Sequence, residues 1–232
     1  MITRRIAIGL MAAAIVLPAL SACGSTDTFR YKMTVEVETP EGVKTGYAVR
    51  EIVQHRPPNI PMLGEDRGST SVIGEAVAVD IAPGKTLFAL LTGRDGYVDY
   101  AGSGVAAIFR VMGAARPGIA PHELWPMVPV IDRPHTDPMP MLVTFGDMAD
   151  PTTIARVDPD DLAATFGEGV TLRRITVQQT DDPVTTGVEE RLGWLGEYRN
   201  ISFAGNRYSI DSSLQDTLRA GAFVSEIAEP NR

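Results

Sequence analysis

The feature that most constrains the fold is a run of strict alternation between polar and apolar residues near the start of the chain. From Arg30 to Glu38, every second residue is apolar and the residues between them are charged or hydroxylated. A period of two with one polar face predicts an antiparallel strand that packs its other face on a core. The turn sequence Thr39-Pro40-Glu41-Gly42 follows, and residues 43–53 return as a second strand. The sequence therefore predicts a β-hairpin at the start of the folded part.

A second hairpin is predicted further along the chain. Residues 73–81 and 86–92 flank the turn sequence Ala82-Pro83-Gly84-Lys85 and are apolar at most positions. Strands of this kind are typically covered on both faces, so we expect this hairpin to lie at the centre of the molecule. Residues 104–112 carry apolar side chains at helical spacing, which predicts a short buried helix.

Proline dominates the segment from residue 114 to residue 140, which contains seven prolines. Each proline lacks a backbone N–H, so we expect no regular sheet or helix to run through this segment. A long loop of this kind is typically functional or covers the core.

The last third of the chain alternates between strand and helix patterns. Strands are predicted at residues 141–145 and 170–178, a hairpin at 201–210 and a final strand at 221–227. Asp158 is expected to cap a helix that ends at Gly167, and Thr186 with Glu189 is expected to form a capping box for another. Together these patterns predict an α+β fold that is β-rich, with a mostly antiparallel sheet and two or three short helices.

Composition limits the classes of partner. The chain has 232 residues, of which 44% are apolar and 22% charged, as expected for a globular protein. Its net charge is −8, and it becomes −10 if the first 22 residues, which include Arg4 and Arg5, are removed. Because an acidic surface repels phosphate backbones, we expect no nucleic-acid partner.

The amino terminus has the pattern of an export signal. Arg4 and Arg5 precede an unbroken run of apolar or small residues from Ile6 to Leu17. As a helix this run would rise only about 18 Å, which is shorter than the ~30 Å hydrocarbon core of a bilayer. It therefore predicts a cleaved signal peptide over residues 1–22.

The end of this segment, Leu20-Ser21-Ala22-Cys23, resembles the lipobox of bacterial lipoproteins. The resemblance implies cleavage between Ala22 and Cys23, a diacylglycerol on the Cys23 sulfur, and attachment to the membrane through this lipid. By the family's sorting rule, Gly24 implies the outer membrane, facing the periplasm. The expected organisation is a lipidated cysteine with a short flexible tether over residues 23–29, then a single periplasmic domain over residues 30–232. An ordinary secreted protein cut near Ala22 is the alternative.

The body of the chain also resembles exported proteobacterial proteins of unassigned function. The similar segments cover a minor part of the chain: Asp150-Pro151-Thr152, residues 157–162, Ile175-Thr176-Val177 and residues 189–195. This resemblance implies no activity.

Two short patterns in the sequence resemble ligand sites. Residues 102–107 fit G-x-G-x-x-A, but the preceding residues 95–100 are polar and turn-like, where a dinucleotide site needs a buried strand. They are better interpreted as the start of a helix. Asp158, Asp160 and Asp161 suggest a calcium loop, but Leu162 stands where a ligand is needed, which favours a helix cap.

A metal site is one alternative for the proline-rich segment. His122, His135, Asp137 and Met139 are the candidate ligands, since imidazole and thioether suit copper and imidazole with carboxylate suits zinc. Their spacing matches no metal motif, so we expect no cofactor. Trp125, Trp194 and Tyr198 either line a binding groove or pack in the core, and their apolar neighbours favour the core.

The function predicted from the sequence is a membrane-anchored periplasmic module that binds or scaffolds without catalysis. The chain has three histidines and one cysteine, so few groups are present for acid–base or nucleophilic chemistry. A protein or envelope ligand is the expected partner, in addition to the membrane. The alternatives are a copper- or zinc-binding lipoprotein that uses residues 122–141, and a cell-envelope hydrolase.

Overall fold

The computed structural model describes residues 24–57, 68–112, 120–125, 137–208 and 211–225. The strands are β1 (Ser25–Thr39), β2 (Gly42–Arg56), β3 (Ser69–Ile73), β4 (Val77–Ala82), β5 (Lys85–Gly93), β6 (His122–Trp125), β7 (Pro140–Phe145), β8 (Ile154–Arg156) and β9 (Thr171–Thr180). The α-helices are α1 (Val105–Met112), α2 (Ala163–Phe166), α3 (Val188–Arg191) and α4 (Leu214–Thr217). Over these described ranges, no helix has the length and apolar character needed to span a bilayer.

Two antiparallel sheets form the framework, and they confirm the predicted β-rich α+β fold. The first sheet has the strand order β3-β2-β1-β9-β6, and the second has the order β4-β5-β7-β8. β1 and β2 pair along their whole length, from Ser25 opposite Arg56 to Thr39 opposite Gly42. The alternation predicted for residues 30–38 is confirmed, because the four apolar side chains of this run are fully buried: Tyr31, Met33, Val35 and Val37.

The second sheet lies between two apolar clusters, as predicted for its hairpin. Leu87, Ala89 and Leu91 of β5 belong to the first cluster, which also contains residues of the first sheet and α1. Phe88 and Leu90 point to the opposite face and belong to the second cluster, which also contains the buried apolar residues of the C-terminal part of the chain. The residues of β5 are therefore apolar on both faces because both faces are covered.

The prediction of a flexible tether before residue 30 is wrong for the residues that the structure describes. β1 begins at Ser25, and the residues assigned to the linker already pair with the far end of β2. An ion pair of 3.2 Å joins Asp27 Oδ2 to Arg56 Nη2, and the Thr26 hydroxyl lies 3.3 Å from His55 Nδ1. These cross-strand contacts extend the hairpin beyond the alternating run. The predicted signal peptide and Cys23 lie outside the described residues.

The strand predicted at residues 73–81 is divided into two. β3 ends at Ile73 and β4 begins at Val77, in different sheets. Gly74 has a φ of +143°, and a Cβ at this position would lie 2.9 Å from Arg50 Cγ. The chain therefore leaves the first sheet at a residue where only glycine fits without strain.

The proline-rich segment contains more regular structure than its composition predicts. Four residues between Pro121 and Pro126 form β6, which pairs with β9 at the edge of the first sheet. An edge strand this short fits between two prolines, because the prolines themselves need not donate to the sheet. The expectation of no regular structure is therefore wrong here.

The C-terminal part of the chain differs most from the sequence-based expectation. Residues 201–208 form turns and not a hairpin, and Ala220–Ala222 is a 3₁₀ turn within the predicted last strand. Within residues 221–225, the part of the predicted strand that the structure describes, Val224 alone makes a β-bridge, with Glu75. Residues 209, 210, 226 and 227 lie outside the described residues. Side-chain hydrogen bonds organise this region, as described below for the candidate site.

Two helix starts are also corrected. α2 begins at Ala163, and Ala164 N donates to the Asp161 carboxylate at 3.1 Å. Asp158 is therefore not the cap of this helix. Its carboxylate accepts from Asp160 N in the preceding turn. Gly167 ends this helix as predicted, with a φ of +111°.

The predicted capping box of α3 is wrong. The Val188 N–H donates to Glu75 Oε2 at 2.7 Å, so a carboxylate from the β3–β4 connection caps α3. The partner is distant in sequence, and the local pair Thr186 and Glu189 does not supply the cap.

α3 is also held by a paired interaction with the second sheet, and this pair predicts a small pH effect. Arg191 Nη1 and Nη2 donate to the two carboxylate oxygens of Asp80 at 2.7 and 3.0 Å, and this hydrogen bonding lowers the pKa of Asp80. A lowered pKa adds stability above the unfolded value of about 3.9 and loses it as the pH falls. Because both side chains are substantially exposed, we expect Asp80→Asn to lower the free energy of unfolding by less than ~1 kcal/mol at pH 7. Urea unfolding at pH 7 and pH 3 checks this, and an equal difference between the two proteins at both pH values would contradict it.

Candidate functional site

A cleft of about 550 Å³ opens between the second sheet and residues 212–222. This volume is typical of small-molecule sites, which span roughly 300–1,000 Å³. Its apolar wall includes Met141, Leu218 and Ala222, and its polar lining includes Arg156 and Arg219. The cleft therefore combines hydrocarbon surface with two guanidinium groups.

A second cavity, of about 310 Å³, shares Met141 and Arg156 with this cleft. Arg94 and Asp158 are among its other lining residues. Arg94 is neutralised by Asp137, whose Oδ2 lies 2.8 Å from Arg94 Nη2. The charge of Arg94 is therefore already balanced within the protein.

Arg156 and Arg219 have backbone and sulfur partners. Arg156 Nη1 donates to the carbonyl of Arg94 at 3.3 Å, and its Nη2 lies 3.8 Å from Met141 Sδ. Arg219 Nη1 and Nη2 donate to the carbonyls of Asn206 and Arg207 at 3.3 and 2.7 Å. A guanidinium carries five N–H donors, so these contacts leave donors on both side chains for a ligand.

The wall formed by residues 211–225 is bonded to the β3–β4 connection and packs on the second sheet. Ala76 N donates to Phe223 O at 2.7 Å, and Gly74 N donates to the Ser225 hydroxyl at 2.9 Å. The Phe223 ring packs against the Phe88 and Phe145 rings, with centroid distances of 5.6 and 5.8 Å. These contacts give the cleft a fixed wall.

A buried carboxylate supports the same wall. Asp216 is 1% exposed, its Oδ1 accepts from Asn206 Nδ2 at 2.6 Å, and its Oδ2 accepts from Asp211 N at 2.9 Å. Asn206 in turn offers its carbonyl to Arg219. Asp216 therefore holds the loop that positions one of the two guanidinium groups.

Another arginine is buried at the centre of the molecule and is structural. Arg50 is fully buried, its Nε donates to Glu75 O at 2.8 Å, and its Nη2 donates to Ala89 O at 3.2 Å. Beside it, burial raises the pKa of Tyr31, although the Arg50 charge opposes this shift, and Tyr31 donates to Ala101 O at 2.9 Å. Burial also raises the pKa of Tyr100 well above its usual range. The two phenols therefore stay protonated and act as hydrogen-bond donors that join the layers.

The residues predicted as metal ligands are placed in different surroundings. His122 lies in β6 beside the Phe109 ring, and its buried Nε2 has no hydrogen-bond partner among the described residues. Asp137 is paired with Arg94, and Met139 is fully buried in the first cluster. His135 lies outside the described residues. Within those that the structure describes, no group of three His, Cys, Asp or Glu side chains is arranged to hold a metal ion.

The aromatic candidates pack in the core, as expected. Trp194 and Tyr198 join the second cluster, where the Trp194 ring contacts Phe203 at a centroid distance of 5.2 Å. Trp194 Nε1 donates to Met148 O at 2.8 Å, which satisfies its polar atom. Trp125 packs against the first cluster.

The glycine pattern at residues 102–107 marks a helix start, as interpreted from the sequence. Residues 100–104 form a π-helical turn that leads into α1, and Asp99 Oδ1 accepts from Ser103 N at 3.3 Å. The turn follows a loop and not a buried strand.

The sequence does not identify Arg156 and Arg219 as site residues. They lie far apart in the chain, belong to no motif, and become neighbours of one cleft only through the docking of residues 211–225. Comparisons with protein-family models, with curated proteins and with solved structures find no match to this chain.

Proposed function

We propose that this protein is a lipoprotein of the bacterial cell envelope, anchored through Cys23, whose folded part binds a ligand without catalysis. The observation that carries the anchor is the lipobox-like sequence Leu20-Ser21-Ala22-Cys23, placed directly after a signal-like apolar run. Gly24 supports the outer membrane, facing the periplasm, as the destination. Two or three acyl chains on Cys23 would hold the protein stably, whereas one chain would not.

The start of β1 supports a close contact between the body and the bilayer. Ser25 is already in the strand, so only about 7 Å of chain separates it from Cys23. The open end of the hairpin, with Asp27 and Arg56, would therefore lie at the membrane surface. β1 has 15 residues, which is about 50 Å at a rise of ~3.3 Å per residue. The turn at Pro40 and Glu41 would then point away from the membrane.

The chemistry of the cleft supports binding in preference to catalysis. Arg156 and Arg219 line the cleft with guanidinium groups, which carry a permanent positive charge and only hydrogen-bond donors. Such groups orient and neutralise anions, whereas general acid–base catalysis needs a group that gains and loses a proton near neutral pH.

The anchor is tested by replacing the sulfur that would carry it. We expect the unchanged chain in the membrane fraction after washing with high salt, and the Cys23→Ser chain in the soluble fraction, because a serine oxygen is not a substrate for this lipidation. Ser25→Ala is the matched control and is expected to stay with the membrane. Equal distribution of the unchanged and Cys23→Ser chains would contradict the proposal.

The orientation of the hairpin is tested with single thiols. Cys23 is the only cysteine and would be lipidated, so an introduced cysteine is the only one available for a fluorescent label. In membranes that contain a quencher on the lipid headgroup, we expect strong quenching at Thr26→Cys and weak quenching at Glu41→Cys. Both sites are exposed, which makes the labels comparable. Equal quenching at the two sites would show that the hairpin does not stand upright on the bilayer.

A further inference from the structure

The 550 Å³ cleft carries two positive charges that no described acidic side chain balances. Arg156 and Arg219 line it, and over the described ranges neither guanidinium lies within 4 Å of a carboxylate oxygen. Other arginines near the second sheet are paired, as Arg94 is with Asp137. In a chain whose net charge is −8, two unpaired guanidinium groups in one cleft indicate that an anion supplies the missing partner.

The remaining lining indicates that this anion has an apolar part. Met141, Leu218 and Ala222 are 3%, 5% and 7% exposed and present hydrocarbon to the cleft. Val98, which is 82% exposed, adds apolar surface at the same cleft. An inorganic anion would leave the Val98 side chain in contact with water, whereas a ligand with a hydrocarbon chain would cover it.

We infer that the cleft binds an amphiphilic anion, meaning one carboxylate or phosphate group on a single hydrocarbon chain. The head group lies between Arg156 and Arg219, and the chain lies along Met141 and Leu218. The head group stays in the larger cleft because the adjoining cavity contains the Asp158 carboxylate, which repels it. The inference deepens the proposed binding role and rests on it.

Titration calorimetry on the full chain carrying Cys23→Ser tests this directly. The probes are dodecanoate and dodecyl phosphate, with dodecanol as the neutral comparison, all kept below the concentrations at which they form micelles. We expect at least one anionic probe to bind roughly tenfold or more tightly than dodecanol, because a charged hydrogen bond contributes that much. The stronger of the two anionic probes identifies the head group as carboxylate or phosphate. Equal affinity for dodecanol, or no binding of either anionic probe, would overturn the inference.

The contribution of the Arg156 guanidinium to anion binding is measured with matched variants. Arg156→Gln is expected to weaken binding of the anionic probe roughly tenfold, and Arg156→Lys less, because lysine keeps the charge but loses the paired donors. Arg156 is exposed, so we expect the fold to tolerate both changes. Arg110→Gln removes an exposed guanidinium from α1 and serves as the control with the same change in charge. Equal affinities of Arg156→Gln and Arg110→Gln would overturn the inference.

A salt titration tests the same point without any substitution in the cleft. Raising the salt from about 0.05 M to about 0.5 M is expected to weaken binding of the anionic probe several-fold and leave dodecanol unchanged. Constant affinity for the anionic probe would overturn the inference. The binding test and the test of the anchor can fail independently. Membrane attachment without anion binding would reject only the proposed class of ligand. Anion binding by a Cys23→Ser chain that stays with the membrane rejects only the anchor.

Discussion

Replacing Gly46 with alanine is expected to lower the free energy of unfolding by about 3 kcal/mol. Gly46 is buried in β2, where the first sheet meets β4 of the second. A Cβ at this position would lie 2.1 Å from the carbonyl oxygen of Ala78 and 2.9 Å from Val79 Cγ2. The obstacle is backbone, so the methyl group fits only if the two sheets move apart, which disrupts the packing of the first cluster.

Urea unfolding of Gly46→Ala and the unchanged chain measures this difference. Gly196→Ala is the matched control, because Gly196 is exposed and a Cβ there meets nothing within 4 Å. We expect the control to stay within about 0.5 kcal/mol of the unchanged chain. If Gly46→Ala were as stable as Gly196→Ala, the two sheets would not be in contact at this point.

Replacing Phe223 with alanine is expected to lower the free energy of unfolding by about 3–5 kcal/mol. Phe223 is fully buried, and its ring contacts Phe88, Phe145 and Phe203 at centroid distances between 5.6 and 5.9 Å. It is also the residue whose carbonyl accepts from Ala76 N. Removal of the ring therefore leaves a cavity beneath the wall of the cleft and loosens residues 211–225.

Thermal unfolding of Phe223→Ala, Phe223→Leu and Tyr208→Ala separates ring packing from the loss of any aromatic residue. Tyr208 is 82% exposed, so Tyr208→Ala is expected to have little effect on stability. Phe223→Leu should lose less than Phe223→Ala, because it fills more of the cavity. Similar effects of Phe223→Ala and Tyr208→Ala would show that the C-terminal wall is not packed on the second sheet.

The parts of the fold that follow from local patterns could be predicted from the sequence. β1 alternates because one of its faces packs on the core, and β5 is apolar throughout because both of its faces are covered. α1 was recognisable from helical spacing of apolar residues. In each case the burial of a side chain depends on the period of the element itself, so the sequence pattern carries the information.

The parts that depend on partners distant in sequence could not be predicted. The cap of α3 comes from Glu75, which is 113 residues away from Val188, and no local pattern points to it. The sequence of residues 202–206 predicts a hairpin, but this loop is held by the Asp216 carboxylate of α4, which accepts hydrogen bonds from Ser202 and Asn206. In both cases a buried carboxylate finds its donors only after the chain has folded.

The candidate site also depends on residues that are distant in sequence, so it could not be predicted. Arg156 ends a three-residue strand and Arg219 follows α4, and neither position has a sequence signature of ligand binding. What distinguishes them is that both line one cleft and that neither has a carboxylate partner among the described residues, which only the three-dimensional arrangement reveals. The anchor, in contrast, is predicted from the sequence alone, because the four residues that end at Cys23 resemble a lipobox.

Intact-mass spectrometry of the protein extracted from bacterial membranes tests the proposed anchor most directly. We expect a chain that lacks residues 1–22 and is heavier than residues 23–232 by a diacylglycerol, with or without one further acyl chain. Digestion should place the added mass on the peptide that begins at Cys23. A chain that retains Met1, or one that starts at Cys23 with no added lipid, would contradict membrane attachment through this residue.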